Sequence, residues 1–477
     1  MKRWEWGLLG GLTLLALAVH ATYRIRGFGE QDEARLGLYA IDWLAHGVFA
    51  SDTYLNRTSP LYLLGLRFAL SHGLSHAGLA DALNLVNVAF GALSLPPMYL
   101  LFRLLAGDAT VAFLGIGVYS VAPAYFYGQG YGMPHIPSLA CFLTSLVCFG
   151  RSLAGGPRQT LALTGAALTS ALAGAFKADI AMCGLAFPAL VLCVAAPTPR
   201  RLLTACALPA LGVVTALVLS RTCLPVETSA VRFAADWNEQ FPFELRALFD
   251  AGHARITLHA LGTVLWGAAA VALYACLARR GRSDALVEKT RRLALLTAAW
   301  ALPTVLFWGM IWAHAARHLA AALVPVALLV AVGFSSLVGA TQRTVALLGA
   351  VLVANYFSAG PTNHPHLASP RLFGSLERMQ TLTDHFMKSG RDFAEARAEQ
   401  KLLLGGGAVP YCEYEVLARA PRFTRRVTTP GTLWDIELDG TPPSLTKLVR
   451  IRRGPQATPE RADRRFFVWT AETGAPP

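Results

Sequence analysis

Apolar runs of about twenty residues, joined by short polar connections, fill the first three quarters of the chain. A spanning helix needs roughly 20 mainly apolar residues and must satisfy its own backbone, so each run reads as a transmembrane helix. The pattern predicts about eleven spans. They lie near residues 4–22, 81–104, 109–127, 135–153, 159–176, 180–196, 200–219, 259–279, 293–313, 318–338 and 343–358. The stretch after Pro60, LYLLGLRFALSHGL, is apolar but short and carries Arg67 and His72. It predicts a helix lying in the membrane interface. Beyond about residue 360 the pattern changes, with alternating stretches such as TLWDIEL and RRFFVWTAE around a glycine run, LLLGGGAVPYCEYEVLA. Alternation of this kind predicts strands, hence a small mixed α/β domain outside the membrane. The expected architecture is a polytopic α-helical membrane domain, 1–358, followed by an extracytoplasmic domain, 359–477.

Composition supports this division. The 477 residues are 54% hydrophobic and only 15% charged, against about 25% charged in soluble proteins. The net charge of +13 could suggest nucleic acid, but its placement argues against that partner. Much of it sits in short connections: Arg151 and Arg158, Arg200 and Arg201, and RRGRSDALVEKTRR at 279–292. With the N-terminus inside, as Lys2 and Arg3 suggest, all three connections fall on the cytoplasmic side, as the positive-inside rule requires. The start MKRWEWGLLGGLTLLALAVHATY has a basic head, but it runs to spanning length without a small-residue cleavage site, and reads as the first helix. An odd number of spans places the C-terminal domain on the outer, periplasmic face of a plasma (bacterial inner) membrane. Six of the eight cysteines fall in apolar segments as small core residues. Cys223 and Cys412 both fall in segments placed outside, where they could pair. No Cys/His metal spacing occurs, and His364 and His366, flanking a proline in NHPHL, read as a loop. No metal and no cofactor is indicated.

Candidate chemistry begins in the first outer loop, GFGEQDEARLG at 27–37. Asp32 and Glu33 admit two readings. They can be acids complementing the dipole of a helix start. They can instead be a reactive pair, since they stand just outside a span with Arg35 nearby and Arg57 later in the same loop. A carboxylate beside fixed cations suits a reaction in which an acceptor hydroxyl loses its proton while a phosphate departs.

The run DEARLGLYAIDWLAHGVFASDTYLNRTSPLYLL resembles the first outer loop of polyprenyl-phosphate-dependent glycosyltransferases of the GT-C superfamily. The nearest branch is that of protein O-mannosyltransferases and lipid A aminoarabinose transferases. In order along the chain, MPHIPSLACFLTSLVCFGRSL, GAFKADIAMCGLAFPALVLC and ARHLAAALVPVALLVAVG are similar to further family segments. The resemblance covers roughly residues 1–340, and the first loop is its specific part. It implies a GT-C-like membrane domain that moves a sugar from a polyprenyl-phosphate donor to a lipid, glycan or protein acceptor at the outer face, inverting configuration. It implies Asp32 as general base, assisted by Glu33, with Arg35, Arg57, Lys177, Arg317 and His318 contacting the donor phosphate. His135 stands where the family often has an acid; it and Asp179 would contact acceptor or headgroup, or His135 simply caps a helix. Lys177 with Asp179 can equally be an ion pair at a helix end, and Arg317 can snorkel to the interface. Arg422, Arg425 and Arg426 hint at an anionic acceptor or at lipid headgroups. The alternative function is a lipid-linked glycan transporter or polymerase that uses the same cationic rim without Asp32 as base.

Overall fold

The computed structural model describes residues 2–24, 26–27, 31–46, 59–75, 78–120, 122, 125, 132–224, 284–309 and 316–338, together with five strands between residues 402 and 471. The helices are α1 (Arg3–Tyr23), α2 (Gln31–His46), α3 (Pro60–Ser71), α4 (Leu79–Ala106), α5 (Ala109–Ser120), α6 (His135–Leu153), α7 (Gln159–Phe176), α8 (Ala186–Val194), α9 (Pro199–Thr222), α10 (Asp284–Gly309) and α11 (Ala320–Val338). Short 3-10 helices, Ala178–Cys183 and Ala316–Leu319, precede α8 and α11. Among the described residues, α1, α4, α6, α7 and α9 are long and apolar enough to cross a membrane.

Their outward faces fit that reading. Leu14 and Leu15 on α1, Leu161 and Leu168 on α7, and Leu203, Val214, Leu217 and Val218 on α9 are all exposed. Water would penalise such faces; lipid tails do not. By contrast α6 is buried almost all round and packs against α4 and α7, as a helix at the centre of a bundle should.

Local sequence sets the boundaries. Helix α4 stops at Gly107, which takes a left-handed φ of 73° and returns its N–H to Arg103 O at 3.0 Å, a common helix stop. Two residues later α5 begins with Asp108 Oδ1 accepting the Val111 N–H at 3.0 Å, which satisfies an otherwise orphaned donor. Thr198 caps α9 in the same way, accepting from Arg201 N at 3.3 Å ahead of Pro199.

Polar side chains inside the bundle tie helices together. Ser138 and Ser145 on α6 donate to the carbonyls of Ala173 and Ala166 on α7, at 2.8 and 2.7 Å. Ser170 on α7 donates to Leu208 O on α9 at 2.7 Å. On α1, the buried Glu5 carboxylate accepts the Tyr99 hydroxyl at 2.7 Å and lies 3.8 Å from Arg103 Nε. A carboxylate at that depth needs such partners.

Helices α7 and α9 touch backbone to backbone. A Cβ on Gly174 would overlap the Gly212 carbonyl, the close approach that small residues permit between membrane helices. Gly174→Val should therefore destabilise the protein by about 1–3 kcal/mol through overpacking, read as a lowered unfolding temperature in detergent. Gly117→Ala, whose Cβ meets open space, should leave that temperature unchanged.

The expected spans 135–153 and 159–176 are the observed α6 and α7, and the short apolar stretch after Pro60 forms the helix α3. Others differ in detail: the span expected at 109–127 is described as a helix over Ala109–Ser120, and that at 293–313 over Asp284–Gly309. The run 180–196 is divided around Gly184 into a 3-10 helix and the nine-residue α8; that glycine sits against Pro209 and the Ala181 carbonyl, with no room for a side chain. The run 318–338 begins as a 3-10 helix before α11. The expected spans 259–279 and 343–358 lie outside the described residues. So do Arg57, Cys412, His364 and His366, while Cys223 is exposed.

In the C-terminal region the described residues are strands only: β1 (Leu402–Leu403), β2 (Phe423–Thr428), β3 (Trp434–Glu437), β4 (Arg450–Arg453) and β5 (Phe466–Ala471). One antiparallel sheet has the order β1-β5-β2, with Arg425 opposite Trp469; β3 pairs antiparallel with β4. The alternating TLWDIEL and RRFFVWTAE supply β3 and β5.

Candidate functional site

Three helix ends meet around a small pocket. The first is the start of α6. There the Gly132 N–H donates to the buried Glu33 carboxylate at 2.5 Å, and Asn87 Nδ2 donates to Met133 O at 2.8 Å. These two bonds, from α2 and α4, fix the short lead into His135, the first residue of α6. The second is the end of α7, where Lys177 breaks the helix with an extended backbone and Asp179 opens the following 3-10 turn. Ser138 Oγ reaches across to the Ala173 and Lys177 carbonyls, so α6 and α7 present their ends together. The third is the 3-10 helix before α11, carrying His318. Tyr119 on α5 holds it by donating to Ala320 O at 2.9 Å.

In the pocket, His135 Nε2 and His318 Nδ1 are 3.0 Å apart, and the rings meet edge to face at 4.6 Å. Asp179 Oδ2 lies 3.7 Å from His135 Nε2, 3.5 Å from His318 Nδ1 and 4.0 Å from Lys177 Nζ. Trp308 of α10 stacks flat on His318 at 3.6 Å. Ser138, Cys183 and Thr304 complete the lining, with Cys183 Sγ 3.3 Å from Thr304 Oγ1. Lys177 is 1% exposed, whereas the Asp179 side chain keeps 17%, so the carboxylate is the part open to the pocket. Burial alone would push the Asp179 carboxyl up; Lys177 and the two imidazoles outweigh it and hold it well below the usual carboxylate range.

Four of the sequence-predicted site residues, His135, Lys177, Asp179 and His318, therefore form one cluster. Glu33 is not among them: it is buried against Gly132 and close to Tyr62. Asp32 and Arg35 lie on α2 and Arg317 in the last 3-10 helix, but their side chains are outside the described residues. Trp308, Ser138, Cys183 and Thr304 carried no sequence signal. Each sits within an apolar run, where a residue facing a pocket looks the same as one facing lipid. The cluster offers one carboxylate, one ammonium and two imidazoles in a concave site at helix ends. That set can bind a phosphate, orient a hydroxyl or hold a cation.

The lead into α6 gives a direct check on how tightly His135 is placed. A Cβ on Gly132 would overlap the Leu83 side chain and come within 2.7 Å of Glu33 Oε1. Gly132→Ala should therefore displace His135, and a misplacement of about 1 Å costs about 100-fold in rate at a reacting site. The expected result is a 10- to 100-fold loss of turnover, relative to a wild-type rate measured in the same lipid.

No family model and no curated protein sequence matches this chain. Among solved structures, its fold is similar to that of ArnT from Cupriavidus metallidurans. The crystal structure of that protein bound to undecaprenyl phosphate is 14% identical, with a TM-score of 0.50, and the match covers 100% of this chain and 100% of that one. Its apo structure is 13% identical, with a TM-score of 0.51 and 98% of each chain covered. The likeness is one of fold, and it runs from end to end. It agrees with the mostly helical membrane fold expected from the sequence.

Proposed function

We propose that this protein is a polyprenyl-phosphate-dependent glycosyltransferase of the GT-C type, moving a sugar from its lipid-linked donor to a lipid, glycan or protein acceptor at the outer face of the membrane. One observation carries the reading. Lys177, His135, His318 and Asp179 converge in one pocket, on a fold similar throughout to that of an ArnT structure bound to undecaprenyl phosphate. A lipid-borne donor also accounts for a chain with no nucleotide-binding motif.

In this reading Asp32 takes the proton from the acceptor hydroxyl. The hydroxyl oxygen then attacks the anomeric carbon, and the bond from that carbon to the phosphate oxygen breaks with its electron pair on the phosphate. Direct displacement inverts the anomeric centre. Arg35, Arg57, Lys177, Arg317 and His318 stabilise the departing phosphate, the guanidinium groups by paired hydrogen bonds. The burial of Glu33 and its bond to Gly132 support a positioning part for that acid. His135 and Asp179 face the acceptor or headgroup. The N-terminus is cytoplasmic, as the Arg-rich connections indicate, and the C-terminal strands lie outside on the acceptor side.

The test is turnover of purified protein in lipid with polyprenyl-phosphate sugars. Arg57→Ala should lower transfer by about 100-fold or more if it meets the leaving phosphate, while Arg371→Ala, in the C-terminal region, should not change it. Equal rates for both variants would remove Arg57 from the donor site.

A further inference from the structure

We infer that His135, Asp179 and His318 hold a zinc-class divalent cation, leaving one coordination position for an anion. Their donor atoms, His135 Nε2, His318 Nδ1 and Asp179 Oδ2, form a triangle with edges of 3.0, 3.5 and 3.7 Å. The point equidistant from three atoms so spaced is about 2 Å from each, the length of a zinc bond to imidazole nitrogen or carboxylate oxygen. The edges also match the face of a tetrahedron, whose corners at that bond length are roughly 3.4 Å apart. Three protein ligands with a fourth position open is how zinc sites admit an exchangeable group.

The donors are placed before any cation arrives. His135 is fixed through Gly132 and Met133, and Asp179 follows the junction held by Ser138. His318 is stacked under Trp308. Orientation of ligating rings by such neighbours raises metal affinity. The donor set selects the ion: two imidazoles and one carboxylate suit zinc and its neighbours, while magnesium and calcium take oxygen ligands. Binding replaces the bond between the two rings. Sequence spacing gave no hint of the site, because its first and last ligands are 183 residues apart.

Lys177 decides the fourth ligand. With neutral imidazoles, the Lys177 and Asp179 charges cancel, so a dication leaves the buried pocket with a surplus of positive charge. An anion with oxygen donors, a phosphate monoester, neutralises that surplus by bonding the cation on one side and Lys177 on the other. The cation site stands on geometry alone. Only the assignment of the fourth position to the donor phosphate rests on the proposed transferase reading.

The experiment uses the full chain without a histidine tag, stripped by a chelator and titrated in detergent with Zn²⁺, and in parallel with Co²⁺, whose tetrahedral complexes absorb strongly in the visible. The expected result is one equivalent per chain and an intense Co²⁺ band. Both should be lost in Asp179→Asn and His318→Gln and kept in the His364→Ala/His366→Ala double variant. Mg²⁺ should not compete. Substoichiometric binding by the wild type overturns the site even if both variants misfold, and so does full binding retained in both variants. Undecaprenyl phosphate should tighten Zn²⁺ binding about 10-fold, within the usual range of coupling between sites, and should do so less in Lys177→Met. Tightening by glycerol phosphate to the same degree would assign the position to free phosphates instead. No tightening by either would overturn the fourth ligand. Stoichiometric zinc in a protein that transfers no sugar would confirm the cation site and reject the transferase reading.

Discussion

Asp32→Asn should lower sugar transfer by about 10²–10⁴-fold, the contribution of a positioned general base, while leaving donor binding close to that of the wild type. The amide keeps the size and polarity of the side chain and removes only its capacity to accept a proton. Asp32 lies in the first turn of α2, and its neighbour Glu33 is fully buried with its carboxylate on the Gly132 amide. On the proposed reading Asp32 is the base, while Glu33, held by the Gly132 amide, has a positioning part. Glu33→Gln can still accept the Gly132 N–H through its amide oxygen and should cost turnover far less than Asp32→Asn. Single-turnover kinetics on both variants separates the two roles. A larger loss in Glu33→Gln would transfer the base assignment to Glu33.

The second large effect concerns Lys177. Lys177→Met removes the ammonium facing Asp179 and leaves a largely buried carboxylate with two imidazoles as its partners. Breaking a buried pair from one side costs about 3–5 kcal/mol. The lower end applies here, because the Asp179 side chain keeps 17% exposure and the separation is 4.0 Å. Adding Asp179→Asn to Lys177→Met should recover part of that loss, with a coupling of roughly 1–3 kcal/mol between the two changes. Denaturant unfolding of the two single variants and the double variant measures it. Strictly additive losses would show that Lys177 and Asp179 act on stability independently. On the proposed reading, transfer should be weakened in all three, since the ammonium that would meet the donor phosphate is gone in two and the pocket carboxylate in two.

The sequence announced the bundle more clearly than the pocket, for physical reasons that particular residues make plain. Helices α6 and α7 were legible to the residue because their apolar runs are bounded by Pro134, Gly155, Arg158 and Lys177, residues that stop or flank a span. The run after Lys177 was misleading. It is apolar enough for one span, yet the chain forms a 3-10 helix up to Cys183 and a separate helix from Ala186, with Gly184 between them packed against Pro209 and the Ala181 carbonyl. A hydrophobicity pattern reports which residues avoid water; it carries nothing about close backbone contacts. The individual site residues were legible as polar groups at span ends, where burial is costly enough to imply a use. Their convergence was not, because His135, Lys177, Asp179 and His318 come from three helix ends. Glu33 had been paired in expectation with Asp32, but its place is set by Gly132, which is 99 residues away along the chain. Trp308, stacked on His318, has no marker in an apolar run already rich in aromatic residues.

The most direct measurement of the central claim follows both products at once. Wild-type protein in vesicles is given a polyprenyl-phosphate sugar on its outer side with candidate acceptors, and free polyprenyl phosphate and glycosylated acceptor are quantified together by mass spectrometry. The account predicts that the two products appear in equal amounts, with the sugar inverted at its anomeric carbon. Intact donor carried to the other side of the bilayer, with neither product formed, would contradict it.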